Sequence, residues 1–246
     1  MNFNRIDRLK RELDALRPLP PAAVKNLDEV YRVEWTFNSN AIEGNTLTLL
    51  ETKFVLEEGL TIGGKKLREH FEVVNHSAAI NYVQDIVKRD VELTEYVMKS
   101  IHYLVLKGID DENAGQYRKI NVMISGSQLQ PPHYAVLPEK MGQLIEWYNV
   151  HKDNLHPVSL AAEFHFRFVY IHPFADGNGR TARLLMNLIL MKYGFPPAIV
   201  KAASADRLRY YEVLETASVK GDLEPFIEFI AGCVEESLTR YISAVK

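Results

Sequence analysis

Apolar residues recur at three- and four-residue intervals along most of the chain, the spacing that lines one face of an α-helix. That pattern predicts helices over residues 6–16, 22–42, 49–58, 67–89, 93–107, 139–150, 157–171, 181–193, 205–219 and 225–244. Pro18, Pro20 and Pro21 stop the first, and Gly44 with Asn45 ends the second. Thr46 is the expected N-cap of the third, and Gly59, Gly63 and Gly64 mark the loop before the fourth. The period changes between Gly115 and Pro138. There Ile120, Val122 and Ile124 alternate with Asn121, Met123 and Ser125 before Gly126 and Pro131-Pro132 break the run, which predicts a small β-hairpin. The expected fold class is all-α with one hairpin, built as one compact unit without internal repeats.

Length and composition narrow this further. A chain of 246 residues with 47% hydrophobic and 25% charged residues can bury a full core, and is neither disordered, collagen-like nor disulfide-stapled. Lys and Arg number 29 against 32 Asp and Glu, a net charge of -3, so no basic field is available to hold a nucleic-acid backbone. The single cysteine, Cys233, forms no intramolecular disulfide and no zinc or redox pair. The first residues are charged throughout, and the apolar run at 184–191, closed by Lys192, is far short of the ~20 residues that span a bilayer. A cytoplasmic protein without nucleic-acid or membrane partners is expected.

Candidate chemistry gathers in His172-Pro173-Phe174-Ala175-Asp176-Gly177-Asn178-Gly179-Arg180-Thr181-Ala182-Arg183, between two strongly apolar helical segments. Gly177, Asn178 and Gly179 allow a tight turn with consecutive exposed N–H groups, and the helix that follows turns its unpaired donors and positive dipole end toward the loop. Arg180 and Arg183, three apart in the first turn, fall on one face where they can reach one anion. Cations are unfavourable at that end of a helix, so two of them point to an anion that neutralises them. Asp176 offers a hard oxygen of the kind magnesium takes together with a nucleotide, and His172 a base for neutral pH. These are the parts of a phosphoryl or nucleotidyl transferase. His165 and His172 are about 10 Å apart along a helix and do not share a metal. The chain has no His-Glu-x-x-His, P-loop or dinucleotide-fold pattern.

The twelve residues resemble the signature of the Fic (Fido) family, His-x-Phe-x-Asp/Glu-Gly-Asn-Gly-Arg-x-x-Arg, at every specified position. The resemblance implies a mainly helical fold and transfer of AMP from ATP to a hydroxyl side chain (Ser, Thr or Tyr) of a protein target, or of the enzyme itself. It makes His172 the base and Asp176 the Mg2+ ligand. Gly177, Asn178 and Gly179 would hold the α- and β-phosphates, Arg180 and Arg183 the β- and γ-phosphates. Gly179 and Arg183 set the chain apart from the Doc-like kinases. Gly115-x-Tyr117-Arg118 and the segment after it are similar to the family's target-docking flap, with Ile124, Ser125, Gly126 and Ser127 at its centre. Tyr210-Tyr211 resembles the pair that shapes the adenine pocket, while Ser218 stands where relatives often have an asparagine.

Ser39-Asn40-Ala41-Ile42-Glu43-Gly44 resembles the inhibitory motif Ser/Thr-x-x-x-Glu-Gly/Asn of self-restrained members. The implied organisation is an N-terminal helical region, 1–92, carrying the inhibitory helix, and a catalytic core with C-terminal helices, 93–246. Glu43 would pair with Arg183 and occupy the γ-phosphate position. A homodimer is expected, as in many relatives with this motif. Two alternatives use the same residues: removal of AMP from a modified protein, with Glu43 orienting water, and a nucleotide-sensing module without turnover.

Overall fold

The computed structural model describes residues 2–246. Ten α-helices follow one another among them: α1 (Asn4–Ala15), α2 (Pro21–Ile42), α3 (Leu49–Glu58), α4 (Leu67–Lys88), α5 (Glu95–Leu106), α6 (Leu137–His151), α7 (Pro157–Ile171), α8 (Asn178–Lys192), α9 (Ser204–Lys220) and α10 (Glu224–Val245). Each predicted helix is present; α3 and α7 have the predicted bounds, and the ends of the others are shifted by up to a few residues. α8 starts at Asn178 rather than Thr181 because Gly177, at φ 76°, turns the chain directly into the helix. The N-cap of α3 is Thr48, not Thr46. The Thr48 hydroxyl accepts from the Glu51 N–H at 3.2 Å while the Glu51 carboxylate accepts from the Thr48 N–H at 2.7 Å, a reciprocal capping box. Thr46 gives its N–H and hydroxyl to Glu69 instead.

The predicted hairpin is absent: no strand occurs among the described residues, and residues 119–133 form an open loop. One turn closes at its tip, Ser127 N–H to the Ile124 carbonyl at 3.2 Å. The rest does not pair. Pro131 and Pro132 lack N–H donors, and the Arg118 guanidinium takes the carbonyls of Ile120 and Pro132 at the base. The alternating apolar positions have no sheet or core to face, and Met123 is 95% exposed.

α8 is the central helix. Its residues from Thr181 to Leu190 are all buried, as an element apolar on every side requires. α7 and α8 form a helical hairpin, α4, α5 and α2 pack on the other sides of α8, and α9, α10 and α6 cover α7. α1 lies along α10. A small second apolar cluster, Leu47, Val55 and Val73, sits beneath α3. No helix among the described residues is long and apolar enough to cross a membrane.

Candidate active site

The α7–α8 hairpin turns through residues 172–177. α7 ends on His172 in the left-handed region, φ 50° and ψ 58°, a conformation that costs a non-glycine residue on the order of 1–3 kcal/mol. Its surroundings hold it there. The buried Arg118 donates from Nε to the His172 carbonyl at 2.9 Å, and its backbone N–H donates to the Pro173 carbonyl at 3.0 Å. Phe174 is fully buried and stacks on His102 with ring centroids 3.5 Å apart. The Gly115 N–H donates to His102 Nδ1, so Nε2 carries the proton and donates to the Asp176 carbonyl at 2.9 Å. Asn178 clamps both the N–H and the carbonyl of Phe174 with its side-chain amide, at 3.0 and 2.9 Å. Its backbone N–H is therefore what it can offer a ligand. A Cβ at Gly177 would press on the His102 ring.

His172, Gly179, Arg183, Glu43, Tyr210 and Tyr211 line one cavity of about 480 Å3, with Ile124, Ser125, Gly126 and Ser127 along its rim. Ser218 lines it too. That volume is within the range of small-ligand sites. Burial pulls the His172 pKa below its usual value, aided by Arg118 and opposed by the Val169 carbonyl, Glu43 and Asp176. The ring is thus neutral at neutral pH and able to take a proton.

The inhibitory-type motif lies across this cavity. α2 ends at Ile42, and Glu43, its C-cap, puts Oε1 2.7 Å from Arg183 Nη2. Arg183 also donates from Nε to the Ser39 hydroxyl at 3.0 Å and from Nη2 to the Ser39 carbonyl at 2.8 Å. The Arg183 side chain is 2% exposed and that of Glu43 35%. Burial works against the Arg183 charge, but Glu43 and Tyr210 outweigh it and hold its pKa above the ordinary arginine value. The Glu43 carboxylate lies directly over the start of α8: a Cβ added to Gly179 would collide with it. A negative group therefore sits on the positive end of the central helix.

The two arginines do not converge. Arg180 is buried and turns away from Arg183, to Asp176 Oδ1 at 3.3 Å and Glu72 Oε1 at 3.5 Å. Its Nε and Nη1 make no hydrogen bond. Burial pushes the Asp176 carboxyl up, but Arg180, the Gly177 N–H and Arg68 together bring it below the usual carboxylate range. The tyrosines also divide: Tyr210 is buried under the Arg183 guanidinium, with its hydroxyl 3.0 Å from His165 Nε2, whereas Tyr211 is exposed to the cavity and donates to the Ile42 carbonyl. His165 belongs to the core. For a metal, Asp176 is the one half-exposed carboxylate of the loop, and no cluster of three or more ligating side chains occurs among the described residues. A single carboxylate fits magnesium, which fills its remaining positions with phosphate oxygens and water; it does not fit a metal bound by protein alone.

Four residues of the site have no role that the sequence assigns. Arg118 is within a quoted motif but without an assigned role, and His102 reads as one more core position of α5. Glu215 of α9 accepts from the Ser127 hydroxyl and, at 2.8 Å, from the Gln128 N–H, which ties the loop to α9. Arg68 of α4 donates to Asp176 Oδ2 at 2.6 Å.

Residues 92–190 match the family model described as the Fic/DOC family. The chain is 38% identical over 245 residues to a protein adenylyltransferase Fic of Nematostella vectensis, covering 97% of this chain and 56% of that one. It is 37% identical over 240 residues to its namesake in Drosophila virilis, covering 97% and 48%. The chain thus spans about half the length of the curated relatives it matches. Among solved structures, a Fic domain containing signaling protein of Bacteroides thetaiotaomicron superposes with a TM-score of 0.89 at 31% identity, covering 98% of this chain and 97% of that one. Fic-1 of C. elegans gives 0.86 at 35% identity, covering 98% and 71%.

Proposed function

The chain belongs to the Fic/DOC family, and from that premise we propose that it is a protein adenylyltransferase that moves AMP from ATP to a Ser, Thr or Tyr hydroxyl of a target protein or of itself, held off by Glu43. The observation that carries this reading is the Glu43 carboxylate, seated on Arg183 and over Gly179 in the cavity that His172 lines. An anion of the chain's own occupies the place the helix start prepares for a phosphate.

The reaction uses the residues as follows. The target hydroxyl oxygen attacks the α-phosphorus, the bond to the α–β bridging oxygen breaks, and diphosphate leaves; His172 takes the hydroxyl proton. The N–H groups of Asn178 and Gly179 donate to the phosphate oxygens, while that of Gly177 stays on Asp176 Oδ1; Arg183 holds the γ-phosphate once Glu43 has left it, and Arg180 steadies Asp176. A magnesium ion bound by Asp176 and the phosphates would neutralise charge on the departing diphosphate. Tyr211 and Tyr210 form the adenine side of the pocket. Residues 124–127 receive the target segment, which adds beside the loop as a strand. On this reading residues 1–92 are the regulatory part and 93–246 the catalytic part of one unit, working in the cytoplasm as a homodimer.

Glu43→Gly should raise incorporation of labelled AMP in magnesium by about an order of magnitude or more, since it frees the buried Arg183 guanidinium for the γ-phosphate. His172→Ala added to it should abolish incorporation. A second reading is favoured by one detail: among the described residues only Oε1 of Glu43 is hydrogen-bonded, so the other oxygen is left to orient water for removal of AMP. In that case Glu43→Gly loses activity on an AMP-modified protein instead of gaining labelling. ATP binding without labelling of any protein by Glu43→Gly would leave a nucleotide sensor.

A further inference from the structure

We propose that Arg68 is a resident counter-cation of Asp176, which a divalent metal has to displace, so that Arg68 sets how tightly the site takes its metal; this rests on Asp176 being the metal ligand. α4 begins at Leu67 and runs past the α7–α8 loop, and Arg68 in its first turn reaches Asp176 across 108 residues of sequence. Its Nη2 donates to Asp176 Oδ2 at 2.6 Å and its Nε to Glu72 Oε1 at 3.1 Å. Glu72 Oε1 lies 3.5 Å from Arg180 Nη1, and Arg180 Nη2 lies 3.3 Å from Asp176 Oδ1. Asp176, Arg68, Glu72 and Arg180 therefore close a ring of alternating charges with no net charge.

The members of that ring are not equally free. The Arg180 side chain is 3% exposed and Glu72 13%, whereas Arg68 is 53% exposed at the end of a long, flexible stem. Arg68 can swing into water without stranding a buried charge, because Glu72 keeps Arg180 and the Asn45 amide at 2.9 Å. Oδ1 of Asp176 is already engaged by the Gly177 N–H and Arg180, so Oδ2 is the oxygen a metal would take, and it is the one Arg68 covers. Guanidinium and metal cannot share it. Nothing about α4 itself asks for the arginine: a cation in a helix's first turn opposes the dipole, and Arg before Glu at i,i+4 is the weaker order of that pair.

Because the pair is half-exposed, its effect is modest and salt-sensitive. The test uses the whole chain with Glu43→Gly and reads the affinity of a non-hydrolysable ATP analogue by calorimetry with Mn2+ and with EDTA, while bound Mn2+ is counted by electron paramagnetic resonance. The ratio of the two affinities is the gain that metal brings. Arg68→Ala should raise this ratio about two- to fivefold at low salt and less at high salt. Arg68→Lys should stay nearer the parent, and Arg68→Glu should exceed Arg68→Ala. A merely structural role would lower the melting temperature and move both affinities together, leaving the ratio alone. A ratio lost in Asp176→Asn yet unmoved or lowered by Arg68→Ala overturns the role of Arg68 while Asp176 stays a ligand. A ratio of one that Asp176→Asn does not alter overturns the metal reading of Asp176 and this inference with it.

Discussion

Arg118 donates three hydrogen bonds from its guanidinium, all to backbone carbonyls: His172, Ile120 and Pro132. Burial lowers its pKa, and no carboxylate compensates. A buried cation with only carbonyl partners is costly, and what it secures is the left-handed bend at His172 together with both ends of the 119–133 loop. Arg118→Ala strands those carbonyls, at about 1–3 kcal/mol for each that water does not reach. In the Glu43→Gly background it should cut labelling at least about tenfold while the affinity for an ATP analogue changes little. Arg118→Lys, which cannot span all three acceptors, should recover only part. Comparing labelling rate with calorimetric affinity separates this from a general loss of fold. Glu69 is the other residue whose charge matters locally. The Thr46 hydroxyl, and behind it the Thr46 and Lys66 N–H groups, outweigh burial and hold its pKa at about 2 rather than the ordinary 4.5. A folded pKa below the unfolded one adds stability that is complete above pH 4.5 and is lost as pH falls toward 2. Glu69→Gln should therefore lower the urea midpoint at pH 7 and flatten its fall over that acid range.

At the scale of elements, the helices were legible because their apolar period is local and survives packing, and the candidate loop because its parts lie in twelve consecutive residues. What depends on distant partners was not legible. Arg68 and Glu72 stand about a hundred residues before Asp176, and only the fold brings it to them. Alternation at 120–125 predicts a strand, but a strand also needs a neighbour, and the chain supplies none; Glu215 holds the segment from 88 residues away instead. Thr46 resembled a cap because sequence shows a threonine before a helix and not the Glu69 that claims it. The attachment of the loop to α9 gives a measurable consequence. Glu215→Ala removes a charged acceptor from the Gln128 N–H, so amide exchange around residues 124–128 should quicken by about tenfold or more, as the ~1.5–3 kcal/mol of a hydrogen bond to a charged group implies. Exchange within α7 and α8 should not change. Equal rates in both proteins would mean that the loop is fixed by its own turn and by Arg118 alone.

Across the whole molecule, the site is a polar seam at one end of a central helix whose other surfaces are apolar, and the two are stabilised by different physics. Arg183, Arg180 and their carboxylates are balanced charges, whereas the scaffold rests on burial spread over every helix but α3, including α1 against α10. Leu13, fully buried in α1, belongs to that scaffold and does not line the cavity. Leu13→Ala should cost about 2–5 kcal/mol through lost transfer energy and the void left behind. With a chain of this size, each 1 kcal/mol moves the melting point by about 2–4 °C, so a drop of several degrees is expected. Below that transition the labelling rate of Leu13→Ala in the Glu43→Gly background should match the parent, because nothing in the charge balance has moved. A fall in rate while the protein is still folded would instead show that packing under α10 sets the position of α9, and through Tyr211 the seat of the nucleotide.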